Sequence, residues 1–381
     1  MPLVALDTTP VDTMHRSRGI GRYAQGLIQG FGALDAAGDL ASAELEVVLL
    51  RQPHEGSLNV HPGGLEQHTL GRRFSKGIMR MWTENRLRMD AMLPGDTDLY
   101  HATSMEGVSR RTPWVPTCHD LIPMLMPQDY FQDLRSKTRI PWWDAYVKAM
   151  KDEARRVVAI SNHVKSTLVD AGVPGQKIDV VYHGLSDFWG ARDERLPPAH
   201  VRALRQEPYV LFIGGYDPRK NFDGLALALS LIPASRRPRL VAVGGRKRAA
   251  QKETESLVEK YGIDATFLGY IDDVSLRFLY RHSRGLVFPS TEEGWGFPIV
   301  EAMAAGAPVV CAHFGSMVES AGDAAITCDV NEADELSHAI MHMIEDEALR
   351  QRHIEQGLER VKSLTWTHSA KNLLDVWKRA L

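Results

Sequence analysis

Residues 290 to 306 read STEEGWGFPIVEAMAAG, and GLVFPS, residues 285 to 290, leads into them as a short apolar β-rich run. The run empties into a glycine-rich turn, and Pro298 stands where the first turn of a helix tolerates a residue without an N–H. Strand, tight turn and helix in that order are the repeating unit of a parallel sheet. Glu293 falls in the turn and Glu301 just inside the helix, with seven residues between them. On the residues alone two readings stay open. In one, Glu301 complements the helix N-terminus and Glu293 is a solvated loop acid. In the other, the helix carboxylate accepts both hydroxyls of a ribose at a strand's carboxyl end, while the free amides of the helix start face anionic oxygens.

Outward from this stretch the same unit recurs. Strands are predicted at Val210–Gly214, Leu240–Gly244, Thr266–Gly269, Leu286–Pro289, Val309–Ala312 and Ala325–Thr327. Between the first two, Phe222, Leu225, Leu229 and Ile232 recur at steps of three and four, a helix with one apolar face. A first block carries the same rhythm at Val4–Asp7, Glu46–Leu50, Leu99–His101, Val115–Asp120, Val157–Ser161 and Asp179–His183. Residues 186 to 208, charged and with two adjacent prolines, read as a linker with a short helix. The expected fold is therefore α/β, with two parallel-sheet domains at 1–190 and 191–365 facing a central cleft.

IGGYDPRKN, residues 213 to 221, ends another strand in glycines and delivers Arg219 and Lys220 side by side before a helix. A basic pair on a surface is commonly just solvated. At a crevice mouth it suits a diphosphate leaving group, whose growing charge fixed cations stabilise as its bond to a sugar breaks.

Taken together, EGWGFPIVEAMAAGAPVV and PRKN resemble the carboxyl domain of the retaining glycosyltransferases of family 4, which have the two-Rossmann GT-B fold. GIGRYAQGL at 19 to 27, TCHDLIP at 117 to 123, AISNHVKSTL at 159 to 168, VYHGL at 181 to 185 and FLGYIDD at 267 to 273 are similar to further family stretches, in the family's order. The resemblance implies that Glu301 binds the ribose, that Arg219 and Lys220 bind the diphosphate, and that Glu293 lies against the donor sugar. It implies that His119 reaches the sugar from the amino domain, that Gly19 and Gly21 lend amides to phosphate or acceptor, and that Gly215, Gly294, Phe297 and Ile299 are donor contacts. It also implies a last helix, 366–381, that packs back on the amino domain; there Leu373, Leu374, Trp377 and Leu381 share one side. Two positions depart from the family's pattern: Gly215 stands where some members have Arg, and His183 where Asn is common. The implied activity is metal-independent transfer of a hexose from a nucleoside-diphosphate sugar to a hydroxyl of a glycan or lipid-linked saccharide. No cofactor is implied, and the likeness of the PRKN segment to mannosyltransferases of bacterial polysaccharide assembly favours GDP-mannose as donor.

Other readings are weighed against this one. Gly19, Gly21 and Ala24 formally match the G-x-G-x-x-A fingerprint of dinucleotide-dependent oxidoreductases. Eleven residues separate Asp7 from Gly19, however, where that fingerprint needs a tight turn; a loop carrying Arg16, Arg18 and Arg22 fits better. A sugar-nucleotide epimerase or a glycan phosphorylase on the same fold is the nearer rival. His119 taken by itself reads more readily as a packed polar residue than as a catalyst; its place at the end of VPTCHD and the family resemblance reverse that. Asp96 and Asp98 form a D-x-D, the metal motif of another glycosyltransferase fold, but after Pro94-Gly95 they read as turn chemistry. Residues 70 to 93 carry six Lys or Arg against two acids, interleaved with apolar side chains, and read equally as a helix with a solvated face or as a segment lying on an anionic membrane.

Composition bounds the rest. At 381 residues, 44% hydrophobic and 24% charged, the chain has room for two cores and matches ordinary globular proteins. A net charge of −3 encodes no global attraction to nucleic acid. Three cysteines far apart argue for reduced thiols and against a cysteine-rich metal site. No apolar run is long enough to cross a bilayer, and the first ten residues lack the pattern of a signal peptide, so a cytoplasmic location is expected, with peripheral contact at the inner face of the membrane if 70–93 binds lipid.

Overall fold

The computed structural model describes the chain apart from residues 14–18, 53–62, 71–88, 105–107, 138, 193–194, 216 and 246–247. Arg16, Arg18 and most of the basic segment 70–93 lie outside the described residues. The chain divides into two compact units, Met1–Ser186 with Leu364–Leu381, and Asp187–Ser363.

In the first unit a seven-stranded sheet runs β1 (Leu3–Asp7), β2 (Glu46–Arg51), β3 (Glu66–Thr69), β4 (Thr97–Ala102), β5 (Trp114–Cys118), β6 (Val157–Ala159) and β7 (Ile178–Val180), in the spatial order β3-β2-β1-β4-β5-β6-β7. Each adjacent pair is parallel. Order reverses between β1 and β4, the switch point where such sheets bind ligands. The edge strand β3 was not expected: EQHT has no apolar alternation, and it pairs with Val48–Arg51 through the backbone ladder and a hydrogen bond from Arg51 Nη1 to Gln67 Oε1 at 3.2 Å.

The helix Trp366–Ala380 belongs to this unit and packs on the helix Gly19–Ala36. Trp366 lies so close to Gly26 that a Cβ there would stand 2.0 Å from its ring, and a Cβ on Gly184 would stand 2.3 Å from its backbone nitrogen. Glycine is needed at both positions because another chain segment occupies the space of a side chain. Leu373, Leu374 and Trp377 are buried; Leu381, expected on the same side, is half exposed beyond the helix end.

The second unit has six parallel strands, β8 (Tyr209–Ile213), β9 (Arg239–Val243), β10 (Ala265–Gly269), β11 (Gly285–Phe288), β12 (Val309–Ala312) and β13 (Ile326–Cys328), ordered β10-β9-β8-β11-β12-β13. Its switch point falls between β8 and β11. Helices Phe297–Ala304 and Ala333–Glu345 both contact β11 and β12 and bury apolar faces there. The stretch expected as a linker is instead part of this unit from Asp187 onward. Trp189 is buried edge-on against Tyr280 at 5.9 Å, and the Arg277 guanidinium lies 4.1 Å over the Phe188 ring while donating to Phe188 O. A few aromatic anchors among many charges were enough to fold it down. Among the described residues no helix is long and apolar enough to cross a membrane.

Candidate functional site

The carboxyl ends of β8 and β11 deliver the two loops that the sequence singled out. After β8, Gly214 and Gly215 run against the end of β9: a Cβ on Gly244 would stand 2.2 Å from Gly214 O, and Gly244 itself has φ +145. The loop then makes a short turn over Pro218–Lys220. Asn221 follows in the left-handed region, φ 53 and ψ 46, which Asn tolerates better than most residues. Its side chain accepts from Gly224 N at 3.1 Å, capping the helix Phe222–Leu231, and donates to Val330 O at 2.8 Å. Sequence reasoning passed over Asn221, although an Asn immediately before an apolar-periodic helix is a cap signal. It fixes where Arg219 and Lys220 stand.

The loop after β11 is tied to this one. Thr291 N donates to Arg219 O at 2.8 Å, and Arg219 Nη1 donates to Glu292 O at 3.2 Å. Glu293 accepts from both cations, Lys220 Nζ on one oxygen and Arg219 Nη1 on the other, and Arg219 also meets Asp217 at 3.1 Å. Lys220 Nζ lies 4.7 Å over the Phe288 ring. Ser316, buried at the head of the helix Ser316–Ala321, donates to Glu293 O at 2.7 Å. Burial alone would raise the Glu293 carboxyl, but Lys220 and Arg219 outweigh it and hold the group below its ordinary range. Burial lowers the Lys220 ammonium, with Glu293 opposing.

Glu301 sits one turn into the helix Phe297–Ala304, 3% exposed, and accepts from Tyr280 Oη at 3.2 Å. Gly294 and Ile299 are buried and Phe297 is half-buried in the same turn and helix start. Tyr280 had no place in the sequence reading, because no local signal links it to a residue twenty-one positions on. Arg219, Lys220, Glu293, Glu301 and Gly215 thus all belong to the second unit, and the first three form one ion cluster.

His119, Gly19 and Gly21 belong to the first unit. There too the switch point is occupied: Thr103, just past β4, donates through its hydroxyl to Asp7 O at 2.5 Å and accepts at its carbonyl from His119 Nε2 at 2.9 Å. A carbonyl only accepts, so His119 carries its proton on Nε2 and keeps Nδ1 as an acceptor. Burial pushes its pKa down to about 4, the Thr103 hydrogen bond opposing. Tyr23 packs edge-on to His119 at 5.0 Å and against His183 at 4.7 Å, so the family-divergent His183 is a ring partner of His119's own neighbour. Gly19 and Gly21 form the first turn of the helix Gly19–Ala36, eleven residues beyond β1, and the described part of that connection is the turn Thr9–Asp12. Arg22 lies inside that helix. Asp98 Oδ2 accepts from Leu3 N at 2.9 Å, as an edge-of-strand group. Among the described residues no three His, Cys, Asp or Glu groups are arranged to hold a metal ion.

Two Rossmann-like units with parallel sheets make this a GT-B fold, and the second gathers cations and carboxylates at its switch point. The chain matches Glycosyltransferase Family 4 over residues 19–187 and Glycosyl transferases group 1 over residues 199–360. It belongs to the family 4 glycosyltransferases and is an enzyme of that kind. It is similar to the O-antigen chain mannosyltransferase B of Escherichia coli, 29% identical over 286 residues, which cover 74% of each chain. In fold it is similar to a sucrose-phosphate synthase of Thermosynechococcus elongatus, at 21% identity and TM-score 0.73, covering 99% of this chain and 98% of the other. It is likewise similar to Anabaena HepE, solved in complex with UDP and glucose, at 18% identity and TM-score 0.69, covering 99% of this chain and 100% of that one.

Proposed function

We propose that the protein is a retaining, metal-independent mannosyltransferase that moves mannose from GDP-mannose to a hydroxyl of a glycan or lipid-linked saccharide. The observation that carries the reading is the convergence of Arg219 and Lys220 with Glu293 at the β8/β11 switch point. The cations take the diphosphate, Glu301 the ribose, and Gly215, Gly294, Phe297 and Ile299 line the donor; His119 contacts the sugar and Gly19 and Gly21 the phosphate or acceptor. As the bond from the anomeric carbon to the diphosphate breaks, Lys220 and Arg219 stabilise the departing charge. The acceptor oxygen bonds to the same face, and its proton passes to a diphosphate oxygen, so no protein nucleophile is required. The likeness to an O-antigen mannosyltransferase supports mannose and a polysaccharide acceptor. On the acceptor side, the basic and apolar residues of 70 to 93 suit contact with an anionic membrane surface.

The test is a thermal-shift screen of GDP-, UDP-, dTDP- and ADP-sugars, followed by product analysis with and without excess chelator. A ligand at 100 times its dissociation constant adds about 2.7 kcal/mol of apparent stability. Stabilisation by GDP-mannose, an α-linked product from the α-linked donor and turnover undiminished by chelator are expected. An inverted linkage, or activity abolished by chelator, overturns the corresponding part.

A further inference from the structure

The cations assigned to a diphosphate already hold an anion. Glu293 gives one carboxylate oxygen to Lys220 and the other to Arg219, and Asp217 takes a further face of Arg219. Two cations and two carboxylates sum to zero, so the cluster as it stands has no net charge to offer an incoming dianion. The side chains of Arg219, Lys220 and Glu293 are only 18%, 14% and 12% exposed, where solvent screens like charges poorly. A diphosphate seated beside a retained Glu293 would be repelled at close range.

The Glu293 backbone has little freedom to withdraw. Thr291 N is bound to Arg219 O on one side, and Ser316 Oγ binds both Glu293 O and Trp295 O on the other. The side chain is the part that can turn. We infer that Glu293 is the resting counter-anion of the clamp: a nucleoside diphosphate takes its place on Lys220 and Arg219, and the displaced carboxylate becomes free to accept from hydroxyls of the donor's sugar. This rests on the reading of Arg219 and Lys220 as the diphosphate site. It makes sugar recognition conditional on the diphosphate, so that a free hexose meets a carboxylate that is already engaged.

The experiment is calorimetric titration of the full chain with GDP and UDP, and with guanosine and uridine as phosphate-free probes, for the wild type, Glu293→Gln, Glu293→Asp and Lys220→Gln, each checked by its melting curve. Lys220→Gln should weaken nucleoside-diphosphate binding about tenfold or more, and Glu293→Gln should tighten it about tenfold while leaving nucleoside binding unchanged. Glu293→Asp, which keeps the charge on a shorter stem, should fall between and decides the matter if the Gln variant does not fold. If Lys220→Gln weakens binding but neither Glu293 variant tightens it, the exchange is wrong and the clamp stands. If Lys220→Gln changes nothing, the clamp itself is wrong. Equal tightening of the nucleosides also overturns the exchange, because the effect would not belong to the phosphates.

Discussion

Trp377 Nε1 donates to His101 Nδ1 at 2.8 Å across 276 residues of sequence, wholly inside the first unit. That bond fixes the tautomer: with Nδ1 accepting, the proton of the neutral ring is on Nε2, which donates to Thr117 Oγ1 at 2.9 Å. Thr117 in turn meets Tyr23 Oη at 3.0 Å, and Tyr23 packs on His119. The last helix, two central strands and the first helix are thereby joined by one buried polar chain. Trp377→Phe keeps the ring stacked 4.7 Å from Phe31 but leaves His101 Nδ1 without its donor. We expect a loss of about 1 to 3 kcal/mol in denaturant unfolding of the first unit; an unchanged midpoint would mean that water replaces the indole without cost.

Gly26→Ala should be far more damaging than its single methyl suggests, because the new carbon would stand 2.0 to 2.4 Å from the Trp366 ring. Overpacking of this kind costs about 1 to 3 kcal/mol, and undocking of the last helix is the alternative to paying it in strain. Gly95→Ala is the control, since nothing lies within 4 Å of that position. Faster amide exchange across Trp366–Ala380 in the Gly26 variant only is the expected result.

Lys220→Ala removes one half of the clamp and leaves Glu293 to Arg219 alone. Turnover with the natural donor should fall by a factor of about ten or more, the size of a lost charge-assisted contact worth about 1.5 to 3 kcal/mol. Steady-state kinetics with donor in excess separates this from weaker binding, and unchanged kcat and KM would remove Lys220 from the mechanism.

Acid should destabilise the first unit well above the range in which carboxylates titrate. Burial pushes His101 down to about 3 and His119 down to about 4, and it holds His183 well below its ordinary value. As pH falls below about 6.5 the unfolded chain binds protons that the folded one refuses, so stability drops, and it goes on dropping until the folded pKa values are reached. Each histidine contributes a slope of about 1.4 kcal/mol per pH unit within its window. Urea unfolding between pH 7 and pH 4.5 should show this slope, reduced in His119→Gln; a flat profile would mean the rings are protonated in the fold.

Much of this molecule is written locally. The six expected strands of the second unit are all present, four of them ending directly on glycine or proline, and Arg219, Lys220 and Glu293 stand in strand-to-helix loops that the chain itself marks, with Glu301 one turn into the helix that follows. The edge strand β3 left no such mark, since a strand lying at a sheet's margin needs no apolar face. Residues 187 to 206 misled for the opposite reason: charge density hid Trp189 and Val201, which are buried.

By itself the sequence determined the alternation of strands and helices, β3 apart, and the identity of the charged residues at the strand ends, because periodicity and turn chemistry act over a handful of neighbours. Only the tertiary structure decided that Glu293 spends its charge on Lys220 and Arg219, that Tyr280 holds Glu301, and that Trp377 sets the tautomer of His101. Those pairings join residues 21 to 276 positions apart. Which buried donor meets which acceptor follows from how whole layers pack, and no local pattern carries that information.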